Sequence, residues 1–200
     1  VGLLQAYASK YSEKFKDFEF LLPIYKREKI NDALEKLHNA EIVLFSTYVW
    51  NINLSLKIAE KLKKNNPNTT IVFGGPQVPD KPEKFLQKHT FIDIATMKEG
   101  EKTFAILLDN YAGKTWSNVS SIAYIDNKGK YNETIWAERI KELDEVPSPY
   151  LEGIFDPLME KYPDEKWLVM WETNRGCPFA CTFCDWGSAT QSKVNRFGME

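Results

Sequence analysis

The sequence is short of the residues that build most metal and catalytic sites. It has only two histidines, His38 and His89, and only three cysteines, Cys177, Cys181 and Cys184. Three clustered cysteines cannot pair up as disulfides without leaving one over; their spacing is better suited to a reducing compartment, and a cytoplasmic protein is expected. No charge of one sign is in excess: 26 basic residues stand against 28 acidic ones, for a formal net charge of -2. That balance gives no basis for electrostatic capture of nucleic acid. No apolar run approaches the ~18 residues of a membrane helix, and nothing resembles a signal peptide. Glycine and proline, at 10 each, are too few for a low-complexity or collagen-like chain. The chain starts at Val1 rather than at a methionine, which leaves room for an upstream segment.

What is present is a repeating pattern. Residues 1–6 read as a short buried strand and 18–22 as a second, with a loop or short helix between them. Ile30, Ala33, Leu34 and Leu37 fit one helical face over 29–39. The continuously apolar run 41–46 reads as a central parallel strand. A helix is expected over 54–64 and a strand over 69–73, ended by Gly74-Gly75-Pro76. Asp80 is expected to cap the next helix, with Pro82 early in it and Glu83 at its third position. A strand over 91–96 and a helix over 101–110 complete the alternation. Such spacing predicts an α/β fold with an open parallel, Rossmann-like sheet covered on both faces, over residues 1–115. Ligands in such sheets bind beyond the carboxyl ends of the strands.

The texture then changes. Segments 121–126 and 131–136 flank Asn127-Lys128-Gly129-Lys130, a hairpin signal. Residues 143–162 carry prolines and read as a linker, so 116–165 forms a hairpin-and-linker region. A new strand is expected over 167–172, with the cysteine loop leaving its end. The final stretch, 166–200, cannot bury a core alone, so the chain is expected to be a fragment of a longer protein.

The cysteines sit in Gly176-Cys177-Pro178-Phe179-Ala180-Cys181-Thr182-Phe183-Cys184-Asp185-Trp186-Gly187. Three soft thiolates within eight positions point to a metal site rather than to three separate core residues. Zinc sites usually repeat a two-residue gap at a distance and add a fourth Cys or His. Here the gaps are three and two residues, and both histidines lie far away in sequence. An iron–sulfur cluster is the preferred reading, with zinc and inert thiols as alternatives. Three ligands leave one iron open. Pro178 fixes the backbone after the first ligand, and Gly176 permits a tight approach.

Cys177-x-x-x-Cys181-x-Phe183-Cys184 resembles the signature of the radical S-adenosylmethionine enzymes. The resemblance implies a 4Fe–4S cluster on the three cysteines, with the amino and carboxylate groups of S-adenosyl-L-methionine on the fourth iron. It implies reductive cleavage to a 5′-deoxyadenosyl radical, and a seat for the adenine at Phe183. It also implies that residues 166–200 begin a radical SAM (β/α) barrel.

The upstream half is similar to the cobalamin-binding domain that precedes the radical domain in one subgroup. Gly74-Gly75-Pro76-Gln77-Val78-Pro79 matches that subgroup's glycine turn. Glu99-Gly100-Glu101 matches its Gly-Glu-Gly-Glu turn, with Lys98 in place of the first glycine. Pro147-Ser148-Pro149-Tyr150-Leu151 matches the link between the domains. A corrinoid is broad and flat and needs close backbone approach. The implied contacts are Gly74, Gly75, Pro76 and Gln77 at one strand end, Ser46, Thr47 and Tyr48 at its neighbour, and Glu99 with Gly100 at the next. For Glu99 and Glu101 a capping role alone is the competing reading.

One departure concerns cobalt. Many cobalamin domains carry Asp-x-His-x-x-Gly after the first strand, and Gln5-Ala6-Tyr7-Ala8-Ser9-Lys10 has no histidine. His38 and His89 are expected at the amino end of the sheet. The lower face of cobalt would then meet water, Gln5, Tyr7 or Tyr48; a domain that no longer binds cobalamin is the alternative. Arg175 and Asn174 are candidates to contact the cofactor or the upstream domain. Trp50, Trp136 and Trp167 are expected in the core or at interfaces.

The resemblance implies a cobalamin-dependent radical S-adenosylmethionine enzyme, foremost a methyltransferase acting on an unactivated carbon or a phosphinate centre. A non-methylating rearrangement, cyclisation or ring contraction is the second reading, and a non-catalytic iron–sulfur protein the third. The implied partners are a small-molecule or peptide substrate and an electron donor such as flavodoxin or ferredoxin. Neither nucleic acid nor membrane is expected.

Overall fold

From residue 30 onward the chain alternates helix and strand; the computed structural model describes residues 1–177, 179 and 181–183, and the backbone of 195–196. After α1 (Gly2–Tyr11) come α2 (Ile30–Leu37), β1 (Ile42–Ser46), α3 (Ile52–Asn65), β2 (Thr70–Gly74), α4 (Glu83–Lys88), β3 (Ile94–Thr96) and α5 (Glu101–Asn110). β1 and β2 pair in parallel with Phe45 opposite Phe73, and β2 and β3 pair in parallel with Phe73 opposite Ala95. The hairpin of β4 (Ile122–Ile125) and β5 (Tyr131–Glu133) joins β3 antiparallel, giving the order β1-β2-β3-β4-β5. The 116–165 region therefore does not stand wholly apart. Its hairpin widens the same sheet, which is mixed rather than purely parallel.

The period of two along β2 decides how the layers form. Ile71 and Phe73 point into a cluster with Ala59 and Leu62 of α3 and Leu86 of α4. Val72 points the other way, to Ile94 and to Leu107 of α5. Each of these large side chains is within 1% of full burial, a gain of about 1.5–3 kcal/mol apiece. α1 lies over α5, where Tyr7 and Ala8 pack with Phe104, Ala105 and Leu108.

Several expectations are corrected. Residues 1–6 form no strand; they open α1, because small and apolar residues continue through Tyr7 and Ala8 and bury against α5. Residues 18–22 belong to no sheet. Phe18 and Phe20 instead pack on Tyr111 and Phe104, with ring centroids 5.8 and 6.4 Å apart. β1 is not central: among the described residues it is the rim of the sheet, and Leu44 is 37% exposed. Its apolar run reports covered faces, not a second neighbour. Asp80 does not cap α4, which starts at Glu83. Pro82 stands at the cap position instead and offers no side-chain acceptor, and as proline it also removes one of the two N–H donors a cap at Asp80 could use. Its carboxylate meets Lys98 Nζ at 3.0 Å instead.

The linker contains α6 (Asp156–Lys161), anchored by buried Leu158. Residues 167–172 are not laddered, for want of a neighbouring strand among the described residues. The short β6 (Asn174–Arg175) pairs antiparallel with β7 (Asn195–Arg196). Among the described residues no helix is long and apolar enough to cross a membrane.

Candidate functional site

The carboxyl ends of β1, β2 and β3 form a shelf with few side chains. Thr47, fully buried, directs both its N–H and its hydroxyl to the Gly74 carbonyl, each at 2.7 Å. Gly75 has φ +94, and a Cβ there would lie 2.7 Å from the Thr47 carbonyl oxygen. A Cβ on Gly74 would overlap the Thr96 hydroxyl. Both glycines are thus required by the approach of neighbouring strand ends. Gln77 N–H donates to the Thr47 carbonyl at 3.2 Å, and Val78 N–H to that of Gly75 at 3.0 Å. Asn51 donates to the Ser46 carbonyl at 2.9 Å and accepts from Tyr48 N–H at 2.7 Å.

The backbone here is largely engaged internally. Ser46, Gly75, Pro76 and Gln77 remain exposed. Beside them the Tyr48 and Trp50 rings stack at 4.7 Å and 8°, with Trp50 74% exposed rather than in the core. An exposed strand end edged by stacked aromatic rings leaves room for a broad ligand.

At the third strand end the two glutamates act as ties. Glu99 Oε1 accepts from Arg139 Nε at 3.3 Å, and its Oε2 from Ile140 N–H at 3.0 Å, fastening the linker. Gly100 sits at the N-cap position of α5 with Leu4 against it. Glu101, the first residue of α5, makes no side-chain cap; it accepts from Arg175 Nη2 at 2.6 Å. Burial pulls the Arg175 pKa down, but Glu101 and Glu172 together outweigh it and the net shift is upward. Lys98 adopts φ +64, the left-handed conformation natural to glycine.

In the cluster loop Gly176 has φ +103, a turn that favours glycine immediately before Cys177. Cys177 is half-buried and Cys181 exposed, and neither is in a disulfide. Phe183 is 91% exposed. Cys184, with Asp185 and Trp186, lies outside the described residues. Among the described residues no group of three His, Cys, Asp or Glu could hold a metal. The donor chemistry of the two described thiols still suits a thiolate-held cluster.

Not every expected contact is brought together. Gln5 and Tyr7 lie on α1, not at a strand end, and the Tyr7 ring packs 4.4 Å from that of Tyr11. His38 ends α2, with Nδ1 2.6 Å from the Glu35 carbonyl oxygen. His89 ends α4 between Phe85 and Phe91, at 5.0 and 5.6 Å. Each precedes a strand of the parallel set and so lies at the amino end, away from the shelf. Asn51, Thr96 and Arg139 were not singled out by the sequence. Only Asn51, a side-chain amide just past an apolar strand, carries a local signal.

An open α/β sheet with glycine-built turns at its strand ends, leading into a cysteine loop, is the build of a cofactor-binding module. A family model described as the B12 binding domain matches residues 6–108, and the chain belongs to that family. Over 98% of its length it is 32% identical to the cobalamin-dependent radical SAM methyltransferase TokK of Streptomyces tokunonensis, of which it covers 29%. Over 100% of its length it is 32% identical to the 2-(S-pantetheinyl)-carbapenam-3-carboxylate methyltransferase of Streptantibioticus cattleyicolor, of which it covers 30%. Its fold is similar to the cobalamin-dependent S-adenosylmethionine radical enzyme OxsB with aqua-cobalamin and S-adenosylmethionine bound. That match has a TM-score of 0.61 at 25% identity, over 78% of this chain and 22% of that one. The chain thus spans less than a third of the curated relatives it matches.

Proposed function

We propose that this chain supplies the corrinoid shelf and the cluster loop of a cobalamin-dependent radical S-adenosylmethionine enzyme, and that the enzyme methylates a small molecule. One observation carries the reading. A glycine-built shelf and the Cys177, Cys181, Cys184 loop occur in one chain, in this order, and similarity to two methyltransferases runs across both.

When bound, the cluster, S-adenosyl-L-methionine and corrinoid supply the electron, radical and methyl-carrier chemistry. The chain's own residues hold and orient. Cys177, Cys181 and Cys184 offer soft thiolates. Gly74, Gly75, Pro76 and Gln77 let a flat ring approach the backbone, with Ser46 and Tyr48 alongside and buried Thr47 bracing the turn from within. Exposed Phe183 would help seat the adenine, mostly through its backbone. Glu99 and Gly100 serve the site by shaping the third strand end. An electron donor of the flavodoxin or ferredoxin type and a cytoplasmic setting complete the proposal, the latter resting on the unpaired thiols.

The test uses the full-length protein, reconstituted anaerobically with iron, sulfide and hydroxocobalamin. The expected result is about four irons per chain, corrinoid retained through gel filtration, and a product heavier than substrate by one methyl group. Loss of the corrinoid on the column would sink the cobalamin half. A rearranged or cyclised product without added methyl would overturn methyl transfer. Absence of 5′-deoxyadenosine would leave only a non-catalytic cluster protein.

A further inference from the structure

Arg175 stands two residues before Cys177 and reaches back into the sheet unit. Its Nη2 donates to Glu101 Oε1 at 2.6 Å and its Nε to Glu172 Oε2 at 2.9 Å. The Arg175 and Glu101 side chains are 11% and 7% exposed, so the pair is shielded from salt and solvent. A planar guanidinium shared by two carboxylates fixes direction as well as distance.

The position of Glu101 gives this contact its meaning. It opens α5, directly after the loop that leaves β3 at the shelf end of the sheet. That loop is fastened from behind by Glu99 to Arg139 and Ile140. Among the described residues the arm leading to the cysteines is largely exposed: Leu168, Met170 and Trp171 are 90%, 84% and 81% exposed. Upstream it is touched at Trp167, 5.1 Å from the Tyr25 ring, and at Met170, whose N–H donates to the Tyr150 hydroxyl at 3.2 Å. Among these three attachments, Arg175–Glu101 is the last before the cysteines and the only one made by a buried ion pair.

We propose that Arg175 and Glu101 form a positioning clasp that sets the distance between the cluster loop and the corrinoid shelf, without either residue touching a cofactor. This rests on the function proposed above. Stability alone is a weak reason for such a pair, because buried ion pairs are commonly no better than apolar replacements. Geometry is a stronger one: a displacement of about 1 Å at a reacting centre can cost about 10²-fold in rate.

The test compares Glu101→Gln, Arg175→Met and Arg175→Lys in the full-length protein. Without cofactors, hydrogen exchange across residues 170–177 should rise about tenfold in Glu101→Gln and Arg175→Met, while the interior of α5 keeps its protection. With cofactors, iron and corrinoid per chain should match the parent. The spin–spin coupling between cob(II)alamin and the reduced cluster should change, and methylation should fall about 10²-fold relative to 5′-deoxyadenosine release. Arg175→Lys keeps the charge but not the planar fork, so it should recover only part of the lost coupling and rate, between Arg175→Met and the parent.

Parent-like exchange and coupling in Glu101→Gln would overturn the clasp. So would a rate loss that only tracks lost iron, with coupling per loaded molecule unchanged, since that is a structural role alone. If the parent itself binds no corrinoid, the proposed function fails, and the exchange measurement still decides whether Glu101 holds the loop.

Discussion

Thr47 is tied to Gly74 twice, its N–H and its hydroxyl both reaching the same carbonyl oxygen at 2.7 Å. The end of β2 is thereby locked to the residue just past β1, and the next residue, Gly75, has no room for a side chain. Gly75→Ala should cost about 2 kcal/mol or more, combining left-handed backbone strain with a clash against the Thr47 main chain. Thr47→Val keeps the shape and one of the two bonds, so about 1 kcal/mol is expected. Urea denaturation separates the two cases. Both variants should also release hydroxocobalamin sooner in gel filtration; parent-like retention in Gly75→Ala would remove the shelf from the binding site.

Lys98 holds a left-handed conformation at φ +64, a strain of about 1–2 kcal/mol for any residue but glycine. Its ammonium compensates by meeting Asp80 at 3.0 Å and lying 4.5 Å from the Trp136 ring centroid. Lys98→Gly exchanges one effect for the other and should stay within about 1 kcal/mol of the parent. Lys98→Ala keeps the strain and loses the contacts, so it should be the less stable of the two by about 1 kcal/mol. Thermal melts that rank alanine above glycine would contradict this account of the turn.

Burial between Phe85 and Phe91 lowers the His89 pKa, with Lys88 pushing the same way. The unfolded chain then takes up a proton before the folded one does. The contribution is present above the unfolded pKa of about 6.5 and is lost as pH falls from there through the lower folded pKa. His89→Gln should flatten the fall in stability between about pH 7 and 5, measured by denaturant midpoints. Because both histidines lie at the amino end of the sheet, His38→Ala and His89→Ala should leave the cob(II)alamin resonance spectrum unchanged. A nitrogen splitting that vanished in either would reverse their placement.

Replacing Cys177 or Cys181 by alanine removes a soft anionic ligand that water cannot replace well. Visible iron–sulfur absorption and 5′-deoxyadenosine formation should both disappear. Corrinoid retention should largely survive, because the shelf is built from other strand ends. Near-parent cleavage of S-adenosyl-L-methionine by Cys181→Ala would refute the cluster assignment.

Much of this was legible before any coordinates. Alternation from residue 30 to residue 110 came from apolar period alone, and α5 has the expected bounds. The cysteine spacing points to a thiolate-held cluster without any fold, and that reading belongs to the proposed function. What the sequence hid is instructive. In α1, Leu3, Leu4, Ala6, Tyr7 and Ala8 spread apolar surface around much of the helix, so no helical stripe stood out and a strand looked equal. Glu99 and Glu101 read as caps or ligands because their partners, Arg139 and Arg175, lie 40 and 74 residues away. No local pattern encodes such a tie. Lys98 was seen as a departure from a glycine motif, but only its backbone angle shows that the glycine geometry persists without the glycine.

The rim position of β1 bears on how the chain behaves in a tube. Among the described residues nothing pairs along its outer side, and Leu44, on one face of the strand, is 37% exposed. An open apolar margin is a ready template for another copy's strand, so this stretch on its own is prone to stick to itself as concentration rises. The expected sign is light scattering that grows with protein load while the fold stays intact, and a lysine in place of Leu44 should reduce it.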